Sequence, residues 1–354
     1  MIKNKPFRPD WISAPGDSIK EILKERKISV SEFARQLDES FELTTDLING
    51  QAEIDREIAL KLENCIGATA QFWMARERKY REDLKNYKSD QQFISRLPIK
   101  DMIKFGWIQN SANHDELLEN CLKFFQISDA KTWFETHRDV IETAAFRTSP
   151  TFASQTGSVA AWLRQGEILA ENIECNNWNP EKLREILPDI RKLTRENDPQ
   201  IFIPELIKLC SKCGIALIVL QAPSGCRASG ATRFISDDKA LLLLSFRYLS
   251  DDHFWFTFFH EIGHILLHNK NLLYVDEIGE SKTKEETEAN NFAANLLIPE
   301  QFKEQLMNLR ANKRDVIRFA RQVGVSRGIV VGQLQHLGIL KRNQLNDLKV
   351  RFAW

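Results

Sequence analysis

The 354-residue sequence predicts a mainly α-helical chain with one small β-sheet, an α+β protein. Three observations lead there. Apolar residues recur at three- and four-residue spacing through most of the chain, the period of an amphipathic helix. Between residues 215 and 246 that period gives way to short apolar runs separated by Gly, Pro, Ser and Asp, the pattern of strands. The composition, 43% hydrophobic and 28% charged, is that of a globular protein and excludes disordered and collagen-like classes. The length suits two or three domains.

The elements follow in order. Residues 16 to 66 read as four or five short helices. Ile19, Ile22 and Leu23 share one helical face. SVSEFARQL follows, with Ser29 or Ser31 as the N-cap and Phe33, Ala34 and Leu37 inward, since a side-chain oxygen there satisfies a free helical N–H. LTTDLINGQ ends at Gly50, and EIALKLENCIG offers Ile58, Leu60 and Leu62 before a stop at Gly67. Short helices this dense suit a helix-turn-helix bundle. A charged helix extends over 67 to 90, and residues 86 to 95 read as a linker, so residues 1–90 form the first domain. Residues 91–200 are a helical middle region with Trp107, Trp133, Trp162 and Trp178 and no chemical motif. Residues 201–299 hold strands at Ile215 to Leu220, Ala231 to Ile235 and Ala240 to Phe246, a long apolar helix from near Asp252, and a further helix from Glu285 to Leu297. Residues 300–354 are a basic helical region.

The chemistry concentrates in HEIGH, residues His260 to His264. Two histidines four apart project from one helical face and can hold one zinc ion. Glu261 between them can take a proton from water beside the metal. The surrounding segment, DDHFWFTFFHEIGHILLH, is apolar on most sides. A helix buried all round does not carry two histidines and a glutamate without partners, because unsatisfied buried polar groups cost free energy. His253, His260, His264 and His268, four of the chain's seven histidines, fall in sixteen residues. A catalytic zinc needs a third protein ligand, leaving one position for water. KEETEANNFAANLLIP offers Glu285, Glu286 and Glu288. At 100° per residue, Glu285 and Glu286 flank the apolar stripe of Ala289, Phe292, Ala293, Leu296 and Leu297, whereas Glu288 points aside. Periodicity leaves the choice between Glu285 and Glu286 open.

HEIGHILLH followed by ETEANNFAANLLIP resembles the ImmA/IrrE group of zinc metallopeptidases, over roughly residues 200 to 300. The resemblance implies a minimal gluzincin-like zinc peptidase domain with one Zn2+. His260, His264 and Glu286 would be its ligands, Glu261 its general base and Asn290 an outer partner. His268, Arg233 and Tyr274 are further oxyanion or substrate candidates. The implied substrate is a protein, typically a repressor or toxin–antitoxin component, and the small sheet can hold an extended peptide by strand addition. The N-terminal stretch beginning PFRPDWISAPGDSIKEILKERKISVSEFARQL resembles the XRE-type helix-turn-helix of HigA-like antitoxins. It implies a regulator of transcription, with DNA, a toxin and a second copy of the chain as candidate partners.

Charge qualifies the DNA expectation. The chain balances 49 bases against 49 acids. Residues 38 to 57 hold seven acids and Arg56 as their one base, an arrangement that repels phosphate. Thr44, Thr45, Asn49 and Gln51 are the polar readers left there. The tail, VIRFARQVGVSRGIVVGQLQHLG, also scans as a helix-turn-helix, with Arg327 on its second helix; residues 300 to 354 hold eleven bases and four acids. A basic helical cap on the peptidase domain is the competing reading. No apolar run approaches the roughly twenty residues of a membrane span. With no apolar stretch after the charged start, a signal peptide is not expected. Six scattered cysteines form no disulfide framework, so the expected setting is a reducing cytoplasm. Cys210 and Cys213 are expected to be half-buried thiols at a helix end.

Overall fold

The computed structural model describes residues 12–136, 153–268, 270, 272–277 and 283–353. The chain forms two compact units. Residues 6–11 of the N-terminal stretch quoted above lie outside the described residues.

The first unit comprises the described residues of 12–95 and 110–136. Its helices are α1 (Pro15–Arg26), α2 (Val30–Leu37), α3 (Phe41–Ile48), α4 (Arg56–Ile66) and the 27-residue α5 (Ala70–Arg96). The described helices of its second segment are His114–Phe125 and Ala130–Thr136. Side-chain caps set the short helices: Ser29, Ser40 and Asp55 accept from the N–H of Glu32, Leu43 and Ile58 at 3.2, 3.0 and 2.9 Å. Ser29, not Ser31, is therefore the cap. Phe33, Leu37, Leu47, Leu62 and Trp73 close the core. Leu60, expected inside, is 48% exposed, because it points away from the stripe that Ile58, Ala59 and Leu62 bury.

The expected linker at 86–95 is instead part of α5. It contains no Gly or Pro, so nothing interrupts helical hydrogen bonding. Phe93 is fully buried and packs 6.0 Å from Phe125 and 5.4 Å from Trp133, centroid to centroid. That aromatic anchor fixes the end of the helix by tertiary burial.

The second unit holds the described residues of 96–109 and 153–353. Its sheet is formed by β1 (Ile215–Val219), β2 (Ala228–Ser236), β3 (Lys239–Leu244) and β4 (Tyr274–Glu277), in the order β1-β3-β2-β4. β1 runs parallel to β3; the other pairs are antiparallel. The sequence does not predict β4, since four residues, YVDE, carry little alternation. Leu242 and Leu244 face one core, Leu241 and Leu243 the other. Both faces are covered, hence the unbroken apolar run.

Ala153–Glu171 covers one face, where Trp162 donates to the Leu220 carbonyl at 3.1 Å. The HEIGH helix, Asp251–Leu267, covers the other with Phe254, Trp255, Phe258 and Phe259. The helix Pro199–Ser211 and the C-terminal pair Lys313–Val323 and Arg327–His336 share that core through Phe202, Phe319, Ile329, Val330 and Leu334. Residues from the expected middle and C-terminal regions thus pack with the sheet. Cys210 and Cys213 are fully buried rather than half-buried, and burial pushes the Cys210 thiol above its ordinary range. Among the described residues, no helix is long and apolar enough to cross a membrane.

Candidate metal centre

The HEIGH helix is positioned from both ends of the second unit. At its start the side chains of Asp251 and Asp252 are almost wholly buried. The Ser326 hydroxyl donates to Asp251 Oδ2 at 2.7 Å and the Val350 N–H to Oδ1 at 3.0 Å. Lys349 Nζ lies 2.6 Å from Asp252 Oδ2. Burial first, with Asp252 adding to it, pushes the Asp251 carboxyl up to about 6 against the Ser326 and Val350 hydrogen bonds.

One and two turns before its end, the helix turns His260 and His264 toward the helix Lys284–Leu297. Their Nε2 atoms are 2.9 Å apart. Glu286 places Oε2 3.3 Å from His260 Nε2 and Oε1 3.7 Å from His264 Nε2. One ligand atom from each of the three residues lies within 4.8 Å of the others, and among the described residues this is the group able to hold a metal ion. Two glycines let the backbones approach. A Cβ on Gly263 would sit 3.1 Å from Ala289 Cα, on the helix that carries Glu286. A Cβ on Gly230 of β2 would sit 2.5 Å from Glu261 Oε1 and 2.7 Å from Thr257 Cγ2. The fully buried Glu261 side chain thus rests directly on the strand backbone.

The donor chemistry fits zinc. His260 Nδ1 lies 3.0 Å from Asn290 Oδ1; an amide oxygen only accepts, so Nδ1 carries the proton and Nε2 keeps its lone pair. Burial and the neighbouring His260 hold His264 far below the usual imidazole range, at about 3, although Glu286 opposes them. His264 is therefore neutral near pH 7, the form that ligates. Two imidazoles and a carboxylate are the ligand types of a catalytic zinc, and adjacent tetrahedral ligands stand roughly 3.3 Å apart at ordinary zinc–nitrogen lengths.

Other expected residues divide. Tyr274 stacks on His264 with centroids 4.3 Å apart. His268 lies 2.9 Å from His264, Nδ1 to Nδ1. Glu288 lies outside the three-residue group, yet its Oε2 is 3.2 Å from His268 Nε2, a partnership that sequence spacing did not reveal. The signal was present in the 4-residue steps His260, His264, His268, which put the third histidine on the same face. Arg233 is not brought to the cluster. It pairs with Glu167 at 2.7 Å because strand alternation turns it to the face opposite Gly230.

The expected DNA readers are also divided. Thr44 is fully buried and its hydroxyl donates to the Ser40 carbonyl at 2.9 Å, so it cannot read a base. Thr45 bonds back to Phe41 at 2.7 Å, while Asn49 and Gln51 are exposed. The tail does form two helices around Gly324–Ser326, but the second buries Gly328, Ile329, Val330, Val331 and Leu334. Arg327 is exposed at its first turn and His336 at its end; the apolar stripe between them is committed to the core, which favours the basic-cap reading.

Residues 219–334 match the family model described as the IrrE N-terminal-like domain, a peptidase family. The N-terminal region is similar to an Escherichia coli (strain K12) protein described as "uncharacterized HTH-type transcriptional regulator YddM", 38% identical over 60 residues. That match covers 17% of this chain, and the chain spans 64% of the relative's length. The matched peptidase segment begins at the end of β1, includes the whole His260, His264 and Glu286 group, and runs into the last turn of the C-terminal helix pair. Residues 219–334 are thus similar to the IrrE N-terminal-like domain, and the N-terminal region is similar to an HTH-type transcriptional regulator.

Proposed function

We propose that this chain is a zinc-dependent regulatory endopeptidase that cleaves a protein partner, a repressor or toxin–antitoxin component. One observation carries the reading: His260, His264 and Glu286 converge within 4.8 Å beside the buried Glu261. His260, His264 and Glu286 would hold one zinc ion, which would supply a Lewis acid for the scissile carbonyl and the attacking water. Glu261 takes the proton of that water on a carboxylate oxygen and passes it to the departing amide nitrogen. Its burial against Gly230 and Thr257 restricts where its carboxylate can move. β4, which begins at Tyr274, is an edge strand of the sheet among the described residues, and an extended substrate segment adds to it as a further strand, through main-chain hydrogen bonds.

The test is Glu261→Gln in the full chain, incubated with the products of neighbouring genes. Zinc content stays at one per chain while cleavage falls by roughly 10²–10⁴-fold, the usual worth of a general base. Unchanged cleavage with zinc retained refutes the assignment.

The similarity of the N-terminal region to an HTH-type regulator supports a second reading. In it, the chain is a HigA-like antitoxin or transcription regulator that binds DNA or a toxin as a homodimer, and the zinc domain senses a signal or is structural. Its test is a gel shift with the chain's own promoter over a salt series; phosphate contacts give a complex that weakens steeply as salt rises.

A further inference from the structure

Beyond the three residues that meet at the centre, a second line of side chains runs from His264 to the protein surface. His264 Nδ1 and His268 Nδ1 are 2.9 Å apart, and His268 Nε2 and Glu288 Oε2 are 3.2 Å apart. The His268 side chain is only 4% exposed, so its contact with His264 is sheltered from competing water, and its contact with Glu288 lies at the surface. With His264 Nε2 turned to His260 and Glu286 as a metal ligand, the ring proton of His264 sits on Nδ1 and points to His268 Nδ1, and the far nitrogen of His268 faces Glu288. The remaining nitrogen of His264, Nε2, is left with its lone pair directed at Glu286 and His260. Tyr274, stacked on His264 at an interplanar angle of 18°, holds the ring plane.

We propose that His268 and Glu288 are positioning residues that fix the tautomer and orientation of His264 and raise its basicity toward zinc. This rests on the reading of His260, His264 and Glu286 as the zinc ligands. The two histidine ligands are then held by unlike devices. His260 leans on a neutral amide, Asn290, whereas His264 leans on an imidazole backed by a carboxylate. His268 meets His264 at Nδ1, on the ring edge away from the Nε2 that faces His260 and Glu286, so it stands behind the ligand. Outer partners of ligating histidines commonly change metal affinity ten- to a hundredfold.

The experiment measures zinc affinity of the full chain by competition with a chromophoric chelator, for the parent, Glu288→Ala, His268→Ala and the double variant. Glu288 is 41% exposed and its other oxygen lies 3.5 Å from Lys284 Nζ, so the metal-free unfolding midpoint is measured beside zinc affinity and shifts little in Glu288→Ala. Each single variant weakens zinc binding by about ten- to a hundredfold. The double variant binds no more weakly than His268→Ala, because Glu288 acts only through His268. Glu288→Gln, whose amide oxygen still accepts from His268, recovers part of the loss. Affinity of Glu288→Ala within twofold of the parent, or losses that multiply in the double variant, overturns the relay alone. A parent chain that binds no zinc overturns the metal centre, and the relay with it.

Discussion

Replacing Lys349 by methionine strips the start of the HEIGH helix of its buried cation. Lys349 Nζ lies 2.6 Å from Asp252 Oδ2, with both side chains 7% exposed, and it donates to Gln335 Oε1 at 2.9 Å. Asp251, beside it, is equally buried. Methionine fills the volume of the lysine stem but leaves Asp252 uncompensated in a low-dielectric site. Removing one partner of a buried pair costs about 3–5 kcal/mol, whereas replacing both by apolar groups is often near neutral. Lys349→Met is therefore expected to destabilise the second unit by that amount, and Lys349→Met/Asp252→Leu to recover most of it. Urea unfolding of the full chain gives the midpoints, and hydrogen exchange of the amides in Asp251–Leu267 locates the loss. A loss below about 1 kcal/mol, the range of exposed pairs, or a double variant as weak as the single, refutes the reasoning.

Further predictions rest on the same helix. Asp251 is pushed up to about 6 from an ordinary 3.8, chiefly by burial. The folded state holds this proton more tightly than the unfolded chain, so the contribution is full below pH 3.8 and is lost as pH rises through 6. A two-unit shift corresponds to on the order of 3 kcal/mol. Asp251→Asn is expected to flatten the fall in stability between pH 4 and 7; an unchanged slope in pH-dependent unfolding counts against that burial effect. At Gly230 an alanine Cβ would meet Glu261 Oε1 at 2.5 Å and Thr257 Cγ2 at 2.7 Å. Overpacking of this kind costs about 1–3 kcal/mol, and a displaced general base loses on the order of 10²-fold in rate. Gly230→Ala is expected to keep zinc affinity within a few fold while cleavage drops, as read from parallel binding and turnover assays.

The sequence by itself determined what depends on short-range geometry. The helical period alone sets His260 and His264 on one face with Glu261 between them, and the structure keeps them there. The runs at 215–219 and 239–244 are strands because continuous apolar residues suit a sheet covered on both sides. The short helices of the first unit begin where side-chain oxygens at Ser29, Ser40 and Asp55 cap them. These features repeat or close within a few residues, so one sequence carries them.

Tertiary structure decided whatever depends on register between distant elements. Periodicity left Glu285 and Glu286 equal; the close approach of Gly263 to Ala289 fixes the slide between two helices and brings Glu286 to the histidines. That same slide carries Glu288, dismissed by its helical angle, to His268, a residue twenty positions away. Residues 86–95 are helical because Phe93 meets Phe125 and Trp133. Arg233 and Thr44 are turned from their expected roles by which face of their element is buried. The angular position of a side chain on its own helix or strand is local information. Its partner across an interface is set by packing volume and backbone approach, which no spacing within one segment encodes.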